Sequence, residues 1–206
     1  MTIEPATARD VRHVVSVHQY AFPEHFLTRL GAAFLRRYYQ LILEYDHGIL
    51  LVARSPQGQL QGFVSGFCRP HEFYARMKSK KISFALRAVP ALLRSPGLTR
   101  RLLTNRQRVE QSATTEENQD HLAELSSLAV DPQCQGRGLG KSLVLQFEHH
   151  AAANNATEVY LTTDANDNDA VIQFYERLEY ARQPCPEAPE DRPMFKYTKS
   201  CLETQV

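Results

Sequence analysis

Glu124-Leu125-Ser126-Ser127-Leu128-Ala129-Val130-Asp131-Pro132-Gln133-Cys134-Gln135-Gly136-Arg137-Gly138-Leu139-Gly140-Lys141-Ser142 is the stretch on which the fold turns. Its first half is an apolar, strand-like run. Pro132 ends that run, because proline removes a ladder donor. Glycines follow at 136, 138 and 140, and Leu139, Leu143, Val144 and Phe147 then recur at helical spacing. The order is strand, glycine-rich turn, helix. Such a turn crowds backbone N–H groups around one point at a helix N-terminus, where the dipole also favours negative charge. The natural ligand is a phosphate or pyrophosphate; a tight β–α turn without a ligand is the plainer alternative.

The spacing narrows the choice. GxxxxGK[ST] is absent, so this is not a P-loop. Gly136-x-Gly138-x-Gly140 is one residue short of the dinucleotide fingerprint. Gln135, Gly138 and Gly140 do form Gln-x-x-Gly-x-Gly directly after a strand ending in Val130-Asp131-Pro132. That pattern resembles the acyl-CoA pyrophosphate loop of the GNAT acetyltransferases. The resemblance implies acetyl-CoA as co-substrate, held by Gln135, Gly136, Arg137, Gly138, Leu139, Gly140, Lys141 and Ser142. It also implies that the backbone of Leu128, Ala129 and Val130 runs along the pantetheine arm, as an added strand would.

Asn168-Asp169-Ala170-Val171-Ile172-Gln173-Phe174-Tyr175 resembles the second motif of that family, with Asn168 seven residues before Tyr175. The resemblance implies that the Asn168 amide contacts pantetheine and that the Tyr175 hydroxyl protonates the departing thiolate. A phenol suits a thiolate leaving group of comparable basicity. The alternative is that Phe174 and Tyr175 anchor a helix in the core. One departure stands out: Glu179 occupies the position after this helix where the family usually has glycine. A left-handed glutamate there would cost about 1–2 kcal/mol, so a different helix end is expected.

Glu124 lies eleven residues before Gln135, and the resemblance implies a base there, acting directly or through water. A strand-end surface carboxylate is the competing reading. His71 and His121 are weaker candidates for the acceptor side. Ser126 and Ser127 lack the GxSxG surround of a nucleophile, so direct attack by the amine, without an acyl-enzyme, is expected.

The composition of the 206 residues allows one domain with a real core, at 43% hydrophobic. Cys68, Cys134, Cys185 and Cys201 are scattered, without zinc spacing, which suits free thiols and no metal. With no basic and apolar leader and no membrane-length apolar run, a cytoplasmic location is expected. The net charge of +1 hides a segregation: eleven lysines and arginines face only Glu72 and Glu110 between Cys68 and Glu110.

Along the chain, a strand over Ile3 to Ala6 leads to a helix capped by Thr7 and Asp10, with Val11, Val14, Val15 and His18 on one face. A second helix is expected from His25 to Glu44, with Tyr38 and Tyr39 as packing residues. Ile49 to Ala53 and Leu60 to Cys68 form a hairpin around Ser55-Pro56-Gln57-Gly58. Residues 68–119 form an insertion. There, Phe84 to Leu93 suggests a short helix interrupted by Pro90, Leu98 to Leu103 a second, and Ser112 to Asp120 a polar linker. After an Asn154-Asn155 break come a strand from Thr157 to Thr163, a helix from Asp169 to Leu178, and strands over Tyr180 to Gln183 and Met194 to Thr198.

The resemblance thus implies a mixed α/β fold: one GNAT-like domain over residues 1–206, with a twisted central sheet flanked by helices. It implies an N-acetyltransferase acting on a primary amine, with acetyl-CoA in a splay between the strands following Leu122 and Thr157. The basic insertion suggests an anionic small-molecule acceptor, such as an amino-sugar nucleotide. A solvated cover and contact with an anionic membrane surface remain open for the same segment. No reading motif accompanies the charge, so nucleic acid is not an expected partner. A protein lysine or N-terminal acetyltransferase is the competing enzyme reading, and an acyl-CoA-binding sensor without turnover the non-enzymatic one. The oligomeric state is not legible.

Overall fold

The computed structural model describes residues 1–94, 119–185, 188 and 192–201. Strand β1 (Thr2–Pro5) is followed by helices α1 (Val11–Ala21), α2 (Phe26–Arg29) and α3 (Ala32–Leu43). A hairpin of β2 (Gly48–Arg54) and β3 (Leu60–Cys68) leads to α4 (Pro70–Ser79) and α5 (Lys81–Arg94). Then come β4 (Leu122–Val130), α6 (Leu139–Ala153), β5 (Glu158–Asp164), α7 (Asp169–Glu176), β6 (Ala181–Pro184) and β7 (Met194–Ser200). The seven strands form one sheet in the order β1-β2-β3-β4-β5-β7-β6. Only the β4–β5 pairing is parallel.

Both faces of the sheet are covered, which is why β2 reads as an unbroken apolar run. Ile49, Leu51 and Ala53 face α6, whereas Leu50 and Val52 face α1 and α3. Glycine lets α6 lie close to the sheet: a Cβ at Gly66 of β3 would fall 1.9 Å from the Glu124 carbonyl oxygen and 2.6 Å from the Phe147 ring. The buried Glu148 of α6 accepts from Tyr180 Oη at 2.9 Å and Lys199 Nζ at 3.0 Å, tying the helix to the C-terminal strands. A buried carboxylate needs such compensation.

Three local expectations are corrected. The helix foreseen from His25 to Glu44 is two helices, because Gly31 takes φ +95° between them. Helix α4 follows β3 directly and was left unassigned by the sequence reading; Pro70 at its first turn lacks only an N–H that would have been unsatisfied there. Helix α5 runs through Pro90 without the interruption expected there. Proline costs the Leu86 carbonyl its intrahelical bond, and Leu86 is exposed, so water can take its place. The helix expected from Leu98 to Leu103 lies outside the described residues, as does nearly all of the polar linker.

The end of α7 also differs from expectation. Glu179 does adopt the left-handed conformation, φ +65°. Tyr180 N–H bonds the Tyr175 carbonyl at 3.1 Å and Glu179 N–H bonds that of Glu176 at 3.0 Å. These are the two bonds of a Schellman cap, made here without glycine. Asn155 closes α6 in the same way, at φ +64°.

Candidate active site

The β4–β5 ladder has only three pairs, Leu122↔Glu158, Ala123↔Val159 and Glu124↔Tyr160. Beyond them the strands part. The cause lies on the other edge of β4. There Gly66 pairs with Leu125 and Ser65 with Ser127, so Ser126 is one residue too many. Such a bulge bends a strand and ends its regular pairing. It also shifts the alternation: Ala123 and Leu125 face α6 before it, Leu128 and Val130 after it. Two consecutive serines therefore face the helices on the opposite side. Ser126 Oγ hydrogen-bonds the Tyr38 hydroxyl, and Ser127 that of Tyr39. Tyr38 and Tyr39 are packing residues as expected, and they also satisfy the bulge.

The splay opens a cavity of about 270 Å³. One wall is Leu125 to Leu128 of β4 and another Leu161 to Asp164 of β5. Phe174 and Tyr175, packed with the core on the α6 face of the sheet, reach it from one side, and Phe22, packed with the core on the α1–α3 face, from the other; His18, His25, Asn168 and Arg192 complete the lining. Tyr175 is buried against Phe174, Tyr180 and Tyr197, and burial pushes its phenol well above the ordinary value. It is thus both a core anchor and a cavity residue. Asn168 Nδ2 donates to Thr163 Oγ1 at 2.7 Å and to the Asp164 carbonyl at 2.9 Å, which fixes the direction of its amide.

The two histidines are the site residues that sequence reasoning missed. His18 Nδ1 and the Tyr39 hydroxyl are 2.6 Å apart, while His18 Nε2 and His25 Nδ1 have no hydrogen-bond partner among the described residues. Burial draws the His18 pKa down to about 3, and nearby His25 adds to the effect. His25 is lowered first by burial and then by Arg192, with Asp164 opposing. Both imidazoles are therefore neutral near pH 7. Arg192 is itself paired with Asp164, with Nη2 2.7 Å from Oδ2.

Beside the splay lies the glycine loop. Asp131 accepts from Gln133 N–H at 2.9 Å and caps a single 3₁₀ turn, Pro132–Cys134. Gly136 and Gly138 follow at φ +74° and +76°, and Gly138 is the N-cap of α6 with no side-chain capping bond. The first N–H groups of the helix thus stay available. Leu139 is buried and anchors the helix, so only its backbone can face a ligand. Arg137 and Lys141 are exposed.

The GNAT acetyltransferase family model matches residues 15–180. The chain belongs to this family. The mycothiol acetyltransferase of Gordonia bronchialis is 43% identical over 68 residues, which cover 33% of this chain and 22% of that protein. Acetyltransferase ECA0875 of Pectobacterium atrosepticum is 38% identical over 58 residues, 28% of this chain and 40% of that protein. The chain thus spans well under half the length of either curated relative. The solved structure of SsHAT superposes with a TM-score of 0.68 at 18% identity, covering 98% of both chains. The structure of yncA from Salmonella typhimurium, solved with its cofactor acetyl-CoA, gives 0.62 at 13% identity, over 100% of this chain and 96% of that one. At such identities the likeness shows the fold.

The GNAT loop of this chain suits a pyrophosphate on its own geometry. Nothing lies within 4 Å of where a Cβ would stand at Gly136 or Gly138, so both positions leave space beside the helix N-terminus. Gly140 differs: its missing side chain makes room for the Phe174 ring, 3.4 Å from an ideal Cβ.

Glu124 is not among the residues lining the cavity. Its carboxylate accepts from Tyr74 Oη at 2.9 and 3.0 Å and from Tyr160 Oη at 2.6 Å. Tyr74 comes from α4. Neither His71 nor His121 lines the cavity; His71 Nε2 stands 3.6 Å from Asp120, and His121 is exposed. His71, Glu72 and Asp120 bring one ligand atom each within 4.8 Å of one another, although Glu72 already meets Arg69 and Tyr45.

Proposed function

We propose that this single GNAT-like domain, residues 1–206 with an insertion at about 68–119, transfers an acetyl group from acetyl-CoA to the primary amine of a small molecule. The observation that carries this is the splay itself. One cavity is lined by Phe174 and Tyr175 from the α6 face of the sheet and by His18 and Phe22 from the α1–α3 face, so donor and acceptor could enter from opposite faces and meet between the strands.

The backbone of Gln135 to Ser142 would hold the pyrophosphate at the α6 N-terminus, with Arg137 and Lys141 adding charge. Beyond the bulge, the parted edge of β4 at Leu128 to Val130 would bind the pantetheine arm by strand-like hydrogen bonds. Asn168, its Nδ2 already engaged, has Oδ1 to offer to an N–H of that arm. Bound acetyl-CoA would supply the activated acetyl thioester. Tyr175 Oη keeps its proton through burial and gives it up to a departing thiolate sulfur. Glu124 receives the amine proton, through the Tyr160 hydroxyl or a water, since it stands back from the cavity. Neutral His18 and His25 leave the acceptor end without an imidazolium that would repel a protonated amine.

The described lysines and arginines of the insertion do not line the cavity. An anionic acceptor therefore draws its support only from the overall charge of that segment. Six curated relatives carry the name mycothiol acetyltransferase, which makes mycothiol-related amines sensible members of a test panel. A panel of amines is incubated with acetyl-CoA and free thiol is measured. At least one amine should give release that Tyr175→Phe suppresses. Tight acetyl-CoA binding by calorimetry, with no release across small amines, peptides and lysine-bearing proteins, would favour an acyl-CoA sensor.

A further inference from the structure

We propose that the outward face of α5 is a docking surface for an anionic lipid bilayer. The helix is apolar on both sides. Phe84 and Ala88 are buried, and the Phe84 ring packs 5.1 Å from that of Phe34 on α3. Yet Ile82, Leu86 and Val89 are 70%, 67% and 43% exposed, three of the six large apolar side chains exposed among the described residues. At about 100° per residue they fall, with Ala85 and Pro90, on one arc of roughly 140° pointing away from α3. An ordinary surface helix puts polar residues there.

The arc has cationic borders. Lys81 flanks one side and Arg87 the other, and Arg87 Nη1 bonds Ser83 Oγ at 2.6 Å, which holds its stem along the helix. From Phe73 to Arg94 the sequence has six lysines and arginines and no aspartate or glutamate. An apolar strip bordered by cations, without a single acid, complements a surface that is apolar beneath and negative above. A second copy of the chain would oppose like charge to like charge, so self-association through this face is disfavoured. The inference does not depend on the acetyl-transfer reading.

The test is co-sedimentation of the whole protein with vesicles of phosphatidylcholine alone and of phosphatidylcholine mixed with phosphatidylglycerol. Binding should be at least about tenfold tighter to the anionic vesicles and should weaken by a similar factor at about 1 M salt, where screening acts within about 3 Å. An Ile82→Glu/Leu86→Glu variant should lose vesicle binding while keeping its melting temperature and its oligomeric state. A Lys81→Gln/Arg87→Gln variant should weaken binding without touching the apolar arc. No binding of the wild type to anionic vesicles would overturn the proposal, as would equal binding by the glutamate variant. Two further results would refute it by naming another occupant: a wild-type dimer that the variant dissolves, or a melting temperature that the variant lowers, which would mean the chain covers this face itself.

Discussion

Tyr160 and Glu124 are the last partners in the β4–β5 ladder, and the Tyr160 phenol donates to the Glu124 carboxylate at 2.6 Å. The carboxylate thus sits at the point where the strands begin to part, held from one side by β5 and from the other by Tyr74 of α4. Strand β5 and helix α4 together fix one candidate catalytic group.

If Glu124 receives the amine proton, Glu124→Gln should lower kcat/KM by about 10²-fold or more, the usual scale for a lost general base. Tyr160→Phe, which leaves the carboxylate and its Tyr74 bond in place, should cost less. A Glu124→Gln kcat/KM equal to that of wild type would leave the residue a structural role at the base of the splay.

Gly138→Asp should abolish acetyl-CoA binding in calorimetry. The new side chain would fill space that Gly138 leaves open at the helix N-terminus, and its carboxylate would stand where a phosphate is proposed. Wild-type affinity in a folded variant would sink the loop assignment.

Tyr175→Phe keeps the ring contacts and removes only the hydroxyl. It should reduce kcat by about 10²-fold while leaving acetyl-CoA affinity nearly unchanged. Should kcat persist with chemistry rate-limiting, Tyr175 is only an anchor for α7.

The buried His18 should make stability fall in mild acid. Its folded pKa, about 3, lies below the ordinary 6.5, so the unfolded chain binds the proton more readily. The His18 contribution is complete above pH 6.5 and lost progressively as the pH falls toward 3. Each unit is worth about 1.4 kcal/mol, so the loss near pH 5 approaches about 2 kcal/mol. Denaturant unfolding at pH 7.5 and pH 5 should show this drop in the wild type and a smaller one in His18→Gln. Equal drops would mean that burial of His18 is not coupled to protonation.

The left-handed Glu179 offers a stability test of its own. Glu179→Gly removes the Cβ penalty at φ +65° and should raise stability by up to about 1 kcal/mol, visible as a higher melting temperature. A lower melting temperature would show that the glutamate side chain stabilises the cap by more than its backbone costs.

Much of this was legible in the residues. Gly136, Gly138 and the recurrence of Leu143 and Phe147 mark the turn and helix, because left-handed backbone and a buried stripe each leave a local signal. Asn168 and Tyr175 were singled out by their resemblance to a family motif carried on one short segment, and both line the cavity. The bulge left a fainter mark: apolar alternation through Ala123 and Leu125 resumes at Leu128 and Val130, one step out of phase across Ser126-Ser127. His18 was placed on the inner face of its helix, but nothing local told that this face meets a cavity. His25 and the Tyr74–Glu124 contact depend on segments far apart in sequence, so no window of residues could show them. The halves of the broken helix share one apolar pattern, which hid the role of Gly31.

The three-pair ladder between β4 and β5 also has a mechanical meaning. The sheet is two panels joined by a short seam, and Glu148, with its bonds to Tyr180 and Lys199, is a rivet across it. Under load applied across the sheet, this seam is the line expected to tear first, before either panel frays. In an optical trap pulling from β3 against β7, cutting the rivet with Glu148→Gln should lower the first rupture force and leave the later ones unchanged. The gap that gives the protein its cavity would also be its perforation.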